Sequence, residues 1–420
     1  MLKKFNSLRS DIFYKDLFIT FSGQIIVMIL AFVLNKIMSN MFSVSEFGVY
    51  NLIRRFISVV SFVMLMSLGI AIPKFIAEAN AKNNKDLIEK YTISAVILFL
   101  IMSILVSIPL IFFRDFFSKI IFNDVNYSKY MFPVVLFSFG SCISSFAFSF
   151  YRGINNFFRY SLINISVQLI LIFCLIFKLK SLYYLYIIWG FLLFLYGFVE
   201  NIRIFKRFDF TFKKMNEYSN TLLELFKYSF PRIPGEFILF AYNLVPLSII
   251  GYKFGHNHVG YFSAALSINS LITPLFSLVG AILLPFVSAS NISQDTKEVN
   301  SKIKTLGIIY IFVSIVAISS IYLFGKYLII IFLSSKYLPS IKILELTTLS
   351  ILPNSIYLLL RNPIDAKSHF PYNTICLFIS FLFYVSMLWV SNGIIQCAYS
   401  MIFSYTILGI LSLIIWKKIS

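Results

Sequence analysis

The sequence predicts an all-α polytopic membrane protein, with about twelve transmembrane helices in two six-helix bundles. Three observations carry this. The 420 residues are 59% hydrophobic and only 13% charged, with a mean hydropathy of +0.87, whereas soluble domains carry about 25% charged residues. Twelve apolar runs are each long enough to cross a bilayer core of about 30 Å as a helix. A stretch of about 60 residues near the N-terminus aligns without gaps to one in the second half at a shift of 212 residues.

In chain order the runs fall at 17–38, 47–77, 91–113, 131–151, 161–178, 182–202, 228–251, 260–290, 305–324, 342–360, 372–390 and 394–416. The N-terminal stretch MLKKFNSLRSDIFYKD is basic and too polar for a cleaved secretory signal, so the first run is a retained helix. The second follows the polar turn Ser45-Glu46. Lys178-Leu179-Lys180-Ser181 alone separates runs five and six, which fits a tight hairpin. Run seven opens on Pro231, Pro234 and Gly235, which free backbone groups and let a spanning helix bend. No loop is long enough to fold as a soluble domain. The longest, near 203–227, is basic and lies at the midpoint of the chain. The expected organisation is an N-terminal bundle over 1–205, a cytoplasmic connector over 206–227 and a C-terminal bundle over 228–420.

Lys and Arg set the orientation. With the N-terminus inside, the inside segments and their helix ends hold 24 of the 36 basic residues and the outside ones hold 10. Arg54 and Arg55 are the remaining two. The asymmetry places both termini in the cytoplasm. The net charge of +19 then reflects loop retention and contact with anionic bilayer lipids. No extramembrane domain exists to bind nucleic acid.

The 212-residue shift carries Lys15 to Lys227, Gly23 to Gly235, Gly48 to Gly260 and Pro73 to Pro285. Gln24 falls on Glu236 and Tyr50 on Phe262. An even number of helices per half makes such repeats parallel, and a cleft between them is the expected substrate path.

Chemistry-bearing residues are few. Cys142, Cys174, Cys376 and Cys397 lie in apolar runs without CxxC spacing, so neither a disulfide framework nor a zinc site is expected. His256 and His258 are a weak metal signal. There is no GxxxxGK[ST] phosphate loop and no hydrolase motif, so neither a cofactor nor catalysis is expected. The charged residues inside the spans stand out instead. Asn51, Arg54, Arg55, Ser58 and Ser61 share one helical face. A charge at the centre of a membrane helix costs about 2.5–3.5 kcal/mol on insertion scales. The pair is thus either a site for an anionic headgroup, which the planar arginine fork suits, or snorkels to the outer interface. Arg232 and Glu236 are i, i+4 neighbours that pair locally or serve function, with Glu236 as the carboxylate for a proton or sodium ion. Lys74 with Glu78 reads as an interfacial pair, and Arg152 and Arg361 with Asp365 as loop anchors or as lining of the inner vestibule.

Several of these stretches resemble the bacterial O-antigen and capsule flippases of the polysaccharide exporter family. That family shares a superfamily with multidrug exporters and lipid II flippases. The resemblance rests on Ser45-Glu46-Phe47-Gly48-Val49-Tyr50-Asn51-Leu52, Ser67-Leu68-Gly69-Ile70 and Pro73-Lys74-Phe75-Ile76-Ala77. Tyr151-Arg152-Gly153 and Gly260-Tyr261-Phe262 add to it. It implies alternating access around a central cationic cavity in the bacterial inner membrane. It also implies movement of an undecaprenyl-pyrophosphate-linked oligosaccharide to the outer leaflet. Arg54, Arg55 and Arg232 would then face the pyrophosphate, with Asn51 and Ser58 beside them. A glycan polymerase and a chain-length regulator are the implied protein partners. The alternatives are a drug–cation antiporter of the same fold, which would need carboxylates where this chain has arginines, and a membrane glycan polymerase, which would need a large outer loop.

Overall fold

In lipid a chain must satisfy its own backbone groups, and helices do so segment by segment. The computed structural model describes residues 2–177, 179, 181–207, 215–272, 276, 296–368 and 370–419. These are helical, joined by short turns. In order they are α1 (Leu2–Met41), α2 (Val44–Leu65), α3 (Leu68–Ala81), α4 (Lys85–Phe112), α5 (Arg114–Phe122), α6 (Met131–Gly153), α7 (Phe157–Cys174) and α8 (Leu182–Arg207). There follow α9 (Ser219–Ser229), α10 (Ile233–Phe254), α11 (His256–Asn269), α12 (Thr296–Phe332), α13 (Ile341–Leu349), α14 (Ile351–Lys367), α15 (Tyr372–Val390) and α16 (Ile394–Ile419).

Among the described residues, ten helices are long and apolar enough to span a membrane, and the segments 335–349 and 351–365, bent by 41° at their junction, pass the same test together as a broken span or a re-entrant loop. The chain is therefore a multi-pass membrane protein. One expectation needs correction and another is only partly described. The run at 47–77 is two helices, because Met66 and Ser67 adopt left-handed backbone (φ 47° and 58°). That conformation ends a helix of L-residues, and no proline or glycine marks the break. Lys74 and Glu78 thus belong to α3. The run at 260–290 is described only as far as α11 and a few residues beyond. Most of its second half, with Pro285, lies outside the described residues, as do His369, Lys178 and Lys180.

The duplication is visible in the element boundaries. The 212-residue shift carries the first residue of α2, Val44, to the first residue of α11, His256. It carries both ends of α8, Leu182 and Arg207, to both ends of α16, Ile394 and Ile419. Six-residue 3-10 turns, Val125–Tyr130 and Ser335–Ser340, precede α6 and α13.

The chain divides into two compact units. Unit 1 comprises residues 1–37 and 53–233, and unit 2 comprises 38–52 and 234–420. In unit 1, α6 and α8 cross with their backbones close together. A Cβ on Gly140 would lie 2.6 Å from the Gly190 carbonyl, and one on Gly190 would lie 2.7 Å from the Phe137 amide. Small residues permit this approach, which membrane helices use where apolar burial gives no driving force. Ser138 Oγ donates to the Ile57 carbonyl (3.5 Å) and Cys142 Sγ to that of Ser61 (3.3 Å), tying α6 to α2. The amphipathic α9 is fixed to α4 by Tyr91 Oη on Glu224 Oε2 (2.5 Å) and by the Ser94–Thr221 hydroxyl pair (2.6 Å).

In unit 2, Lys253 Nζ donates to the Trp389 and Ser391 carbonyls (2.6 and 2.5 Å). A cation at the end of α15 answers its orphan carbonyls and dipole. Tyr242 links α10 to α15 and α16 through Ser380 and Ser404 (2.7 and 2.6 Å). Residues 44–48 meet the start of α11 reciprocally. A Cβ on Gly48 would collide with the His256 carbonyl, and one on Gly260 with the Val44 carbonyl. Under the 212-residue shift these are the same contact made twice, the pattern of a two-fold pair. Replacing Gly260 by leucine is expected to force these backbones apart, at about 1–3 kcal/mol or more. The readout is a lowered thermal midpoint in detergent, and an unchanged midpoint contradicts the crossing.

Candidate functional site

The polar face of α2 is the first component. Of its apolar window 61% is buried, against 22% for α4. Along the middle of α4 the exposed positions are apolar: Leu100, Ile101, Ile104, Leu105 and Ile108. On α2 the residues left half-buried or exposed near its centre are Arg54, Arg55, Ser58 and Ser61, followed by Phe62. An open strip of this polarity suits water or a polar ligand, not lipid tails. Ser58 Oγ donates to the Arg54 carbonyl (3.0 Å). Asn51 is only 6% exposed, and its amide donates to the Phe47 carbonyl (2.8 Å). It sits with the unit 2 residues, while the arginines and Ser58 belong to unit 1.

A second cationic cluster in unit 1 forms around Tyr228, at the end of α9. The Arg232 guanidinium carbon lies 4.0 Å from the ring centroid and Lys74 Nζ lies 4.2 Å from it. The ring faces Phe75 edge-on, and Phe75 in turn packs on Tyr91. Lys74 also keeps Glu78 at 4.0 Å, with both side chains well exposed. Arg232 is exposed. Two cations gathered on one ring make a positive surface with free donors, since cation–π contact occupies the charge but not every N–H.

Glu236 lies at the start of α10, in unit 2. The i, i+4 pairing with Arg232 gives way to separate partners. Glu236 Oε1 accepts from Arg361 Nη2 on α14 at 3.1 Å, and each side chain keeps about a third of its surface (29% and 33%). Asn373 Nδ2 donates to the Arg361 carbonyl (2.8 Å) and to Asp365 Oδ1 (2.7 Å). Arg361 and Asp365 are therefore helical and not in a loop. They lie within α14, in a charged network with Glu236 and Asn373. The adjoining Gly235 allows α10 to approach Thr374, whose Oγ1 would lie 2.6 Å from an added Cβ.

Two further points escape sequence reasoning. Glu236 is not the most enclosed carboxylate, since Glu200 is 1% exposed and Glu89 6%. Glu200 pairs with Arg203 one turn on. The Lys74–Tyr228–Arg232 cluster joins residues more than 150 positions apart, with no local signal. His258 Nδ1 lies 2.7 Å from the carbonyl of Phe254. Among the described residues, no three His, Cys, Asp or Glu side chains are placed to hold a metal.

Residues 13–291 match the family model described as polysaccharide biosynthesis protein. Among solved structures, the fold is similar to an inward-facing multidrug resistance MATE family transporter of the MOP superfamily, with a TM-score of 0.78 at 13% identity over 94% of each chain. It is similar to the lipid II flippase MurJ in an inward closed conformation, with a TM-score of 0.72 at 16% identity over 95% of this chain and 87% of that one. A MOP superfamily transporter from Pyrococcus furiosus matches at a TM-score of 0.64 and 15% identity, over 96% and 94% of the chains. That protein is described as having a binding pocket of reverse polarity that suggests a different function. No curated protein sequence matches the chain. Among the described residues the fold is all-helical and similar to that of these transporters.

Proposed function

The chain belongs to the polysaccharide biosynthesis protein family, and from that premise we propose that it is a flippase for a lipid-linked oligosaccharide. The substrate is an undecaprenyl-pyrophosphate-linked O-antigen or capsule repeat unit. It moves from the cytoplasmic to the outer leaflet of the bacterial inner membrane, with both termini of the chain cytoplasmic. The observation that carries this reading is the polar open strip of α2, where Arg54 and Arg55 take the place of lipid-facing side chains. Arginine binds phosphate oxygens through paired N–H donors. The similar fold of a lipid II flippase supports a lipid-linked cargo. The protein performs no catalysis in this scheme, and a glycan polymerase and chain-length regulator act on the released product.

Lys74 and Arg232 meet the pyrophosphate at the cytoplasmic face, and Arg54 with Arg55 receive it within the membrane. Ser58 accepts or donates to the sugars. Asn51, buried against its own helix, keeps α2 in register beside them. Glu236 is the coupling acid: a proton or sodium ion arriving there competes with Arg361 and loosens α10 from α14.

Complementation tests this. Cells lacking the gene are expected to lose surface glycan, to regain it with the wild-type chain, and to show no change in drug resistance. Export of cationic drugs without any glycan phenotype would sink the proposal. Replacing Tyr228 by leucine is expected to weaken affinity for polyprenyl pyrophosphate by roughly 5- to 30-fold, the equivalent of two cation–π contacts at about 0.5–1 kcal/mol each. Phenylalanine at the same position is expected to preserve it. Equal binding by both variants, measured in nanodiscs, would remove the cluster from the path.

A further inference from the structure

Unit 1 carries an apolar groove of about 550 Å³ walled by α4, α6 and α8. Its volume is within the roughly 300–1,000 Å³ usual for ligand sites. Its wall is a ladder of aromatic rings. Phe99 stacks on Phe139 at 5.3 Å, Phe139 on Phe194 at 6.0 Å, and Phe194 on Phe198 at 5.9 Å, with interplanar angles of 26°, 25° and 19°. The lip is open: Leu100 is 44% and Phe198 50% exposed. In a membrane helix bundle such a lip faces hydrocarbon.

Polarity appears in the part of the wall contributed by the last turns of α8. Asn201 lines the groove there. Its amide nitrogen is committed to the Ile143 and Gly197 carbonyls (3.0 and 2.7 Å), and its Oδ1 is buried without a donor. One helical turn further lie Phe205 and then Lys206, an exposed cation that also lines the groove. An apolar slot with a cation towards one end of its wall complements a single hydrocarbon chain carrying an anionic head.

We propose that this groove holds the polyisoprenoid chain of the substrate's lipid anchor, with the phosphate end towards Lys206. The inference rests on the flippase reading and extends it to the tail. The stacked rings give the groove a rigid, ribbed wall. An isoprenoid chain, stiffened by a double bond in every unit and bearing methyl groups at short intervals, can seat its methyls between such ribs, and an unbranched acyl chain has none to seat. Holding the tail in a lateral groove lets the hydrocarbon stay in the bilayer while the head crosses.

The test uses purified full-length protein in nanodiscs and a diazirine-bearing polyprenyl phosphate without sugar. Label is expected on the α4 and α8 peptides holding Leu100 and Phe198. Undecaprenyl phosphate is expected to compete it away, and an equal amount of phosphatidylglycerol is not. Ile143→Trp, which fills the groove, is expected to cut labelling about tenfold. Leu100→Trp on the open lip serves if the first variant fails to fold. Lys206→Glu is expected to weaken labelling several-fold. Label scattered over all lipid-facing helices, or equal competition by phosphatidylglycerol, would overturn the proposal and leave an ordinary bilayer lipid as occupant. The sugar-free probe separates this claim from the transport reading. Specific groove labelling in a protein without glycan phenotype supports the groove and sinks the transport reading. Normal glycan transport without groove labelling sinks the groove alone.

Discussion

Replacing Arg54 and Arg55 together by glutamine is expected to abolish surface glycan while the protein reaches the membrane at its normal level. The effect is large because each arginine offers charge-assisted hydrogen bonds to phosphate, worth about 1.5–3 kcal/mol each. Losing one such bond from each side chain lowers substrate affinity by at least about 100-fold. Stability is expected to hold, since both side chains lie on the half-open strip of α2 and not in its packed face. Glutamine also relieves the cost of a charge within the span. Lysine at both positions keeps the charge but not the fork, and is expected to restore only part of the activity. The assay is surface glycan on intact cells, normalised to protein in the membrane fraction. Full glycan in the double variant would remove the pair from the mechanism.

The second large effect concerns Glu236 and Arg361. Replacing Arg361 by alanine leaves Glu236 without its partner inside a spanning segment. Breaking a fully buried pair costs about 3–5 kcal/mol. Here each side chain keeps about a third of its surface, so a loss of about 1–3 kcal/mol is expected after allowing for screening. Arg361→Ala is therefore expected to lower the thermal midpoint in detergent. Combining it with Glu236→Gln is expected to recover most of that stability, because no uncompensated charge remains. Transport is expected to fail in the single and double variants alike if ion exchange at Glu236 drives the cycle. A double variant that transports normally would assign the pair to stability alone.

These residues also show what was legible beforehand. The duplication was: Gly48 and Gly260 matched under one shift, and in the structure each permits the reciprocal contact of the other's helix. Helix positions followed from hydropathy, because lipid leaves the backbone no other choice. The break at Met66-Ser67 was not legible, because neither residue carries a strong helix-ending preference. Both residues are buried, at 0% and 5% exposure. The arginines of α2 stood out because charge within an apolar run is costly and local. Arg361 did not, since its partner is 125 residues away and the residues around it, Asn362-Pro363-Ile364-Asp365, read as a loop. Proline inside a helix usually kinks or ends it, yet α14 continues through Pro363 to Lys367. Tyr228 was invisible for the same reason. A ring recruits cations by position in space, not by spacing in sequence.

The most direct test of the central claim is transbilayer movement in reconstituted vesicles. A fluorescent undecaprenyl-pyrophosphate-linked oligosaccharide is placed in both leaflets, and a membrane-impermeant quencher is added outside. With the wild-type chain the inner-leaflet pool is expected to become accessible progressively. With Arg54→Gln/Arg55→Gln it is expected to stay protected, as in protein-free vesicles. Protection that persists with the wild-type chain, or equal loss of protection with the variant, would contradict the account.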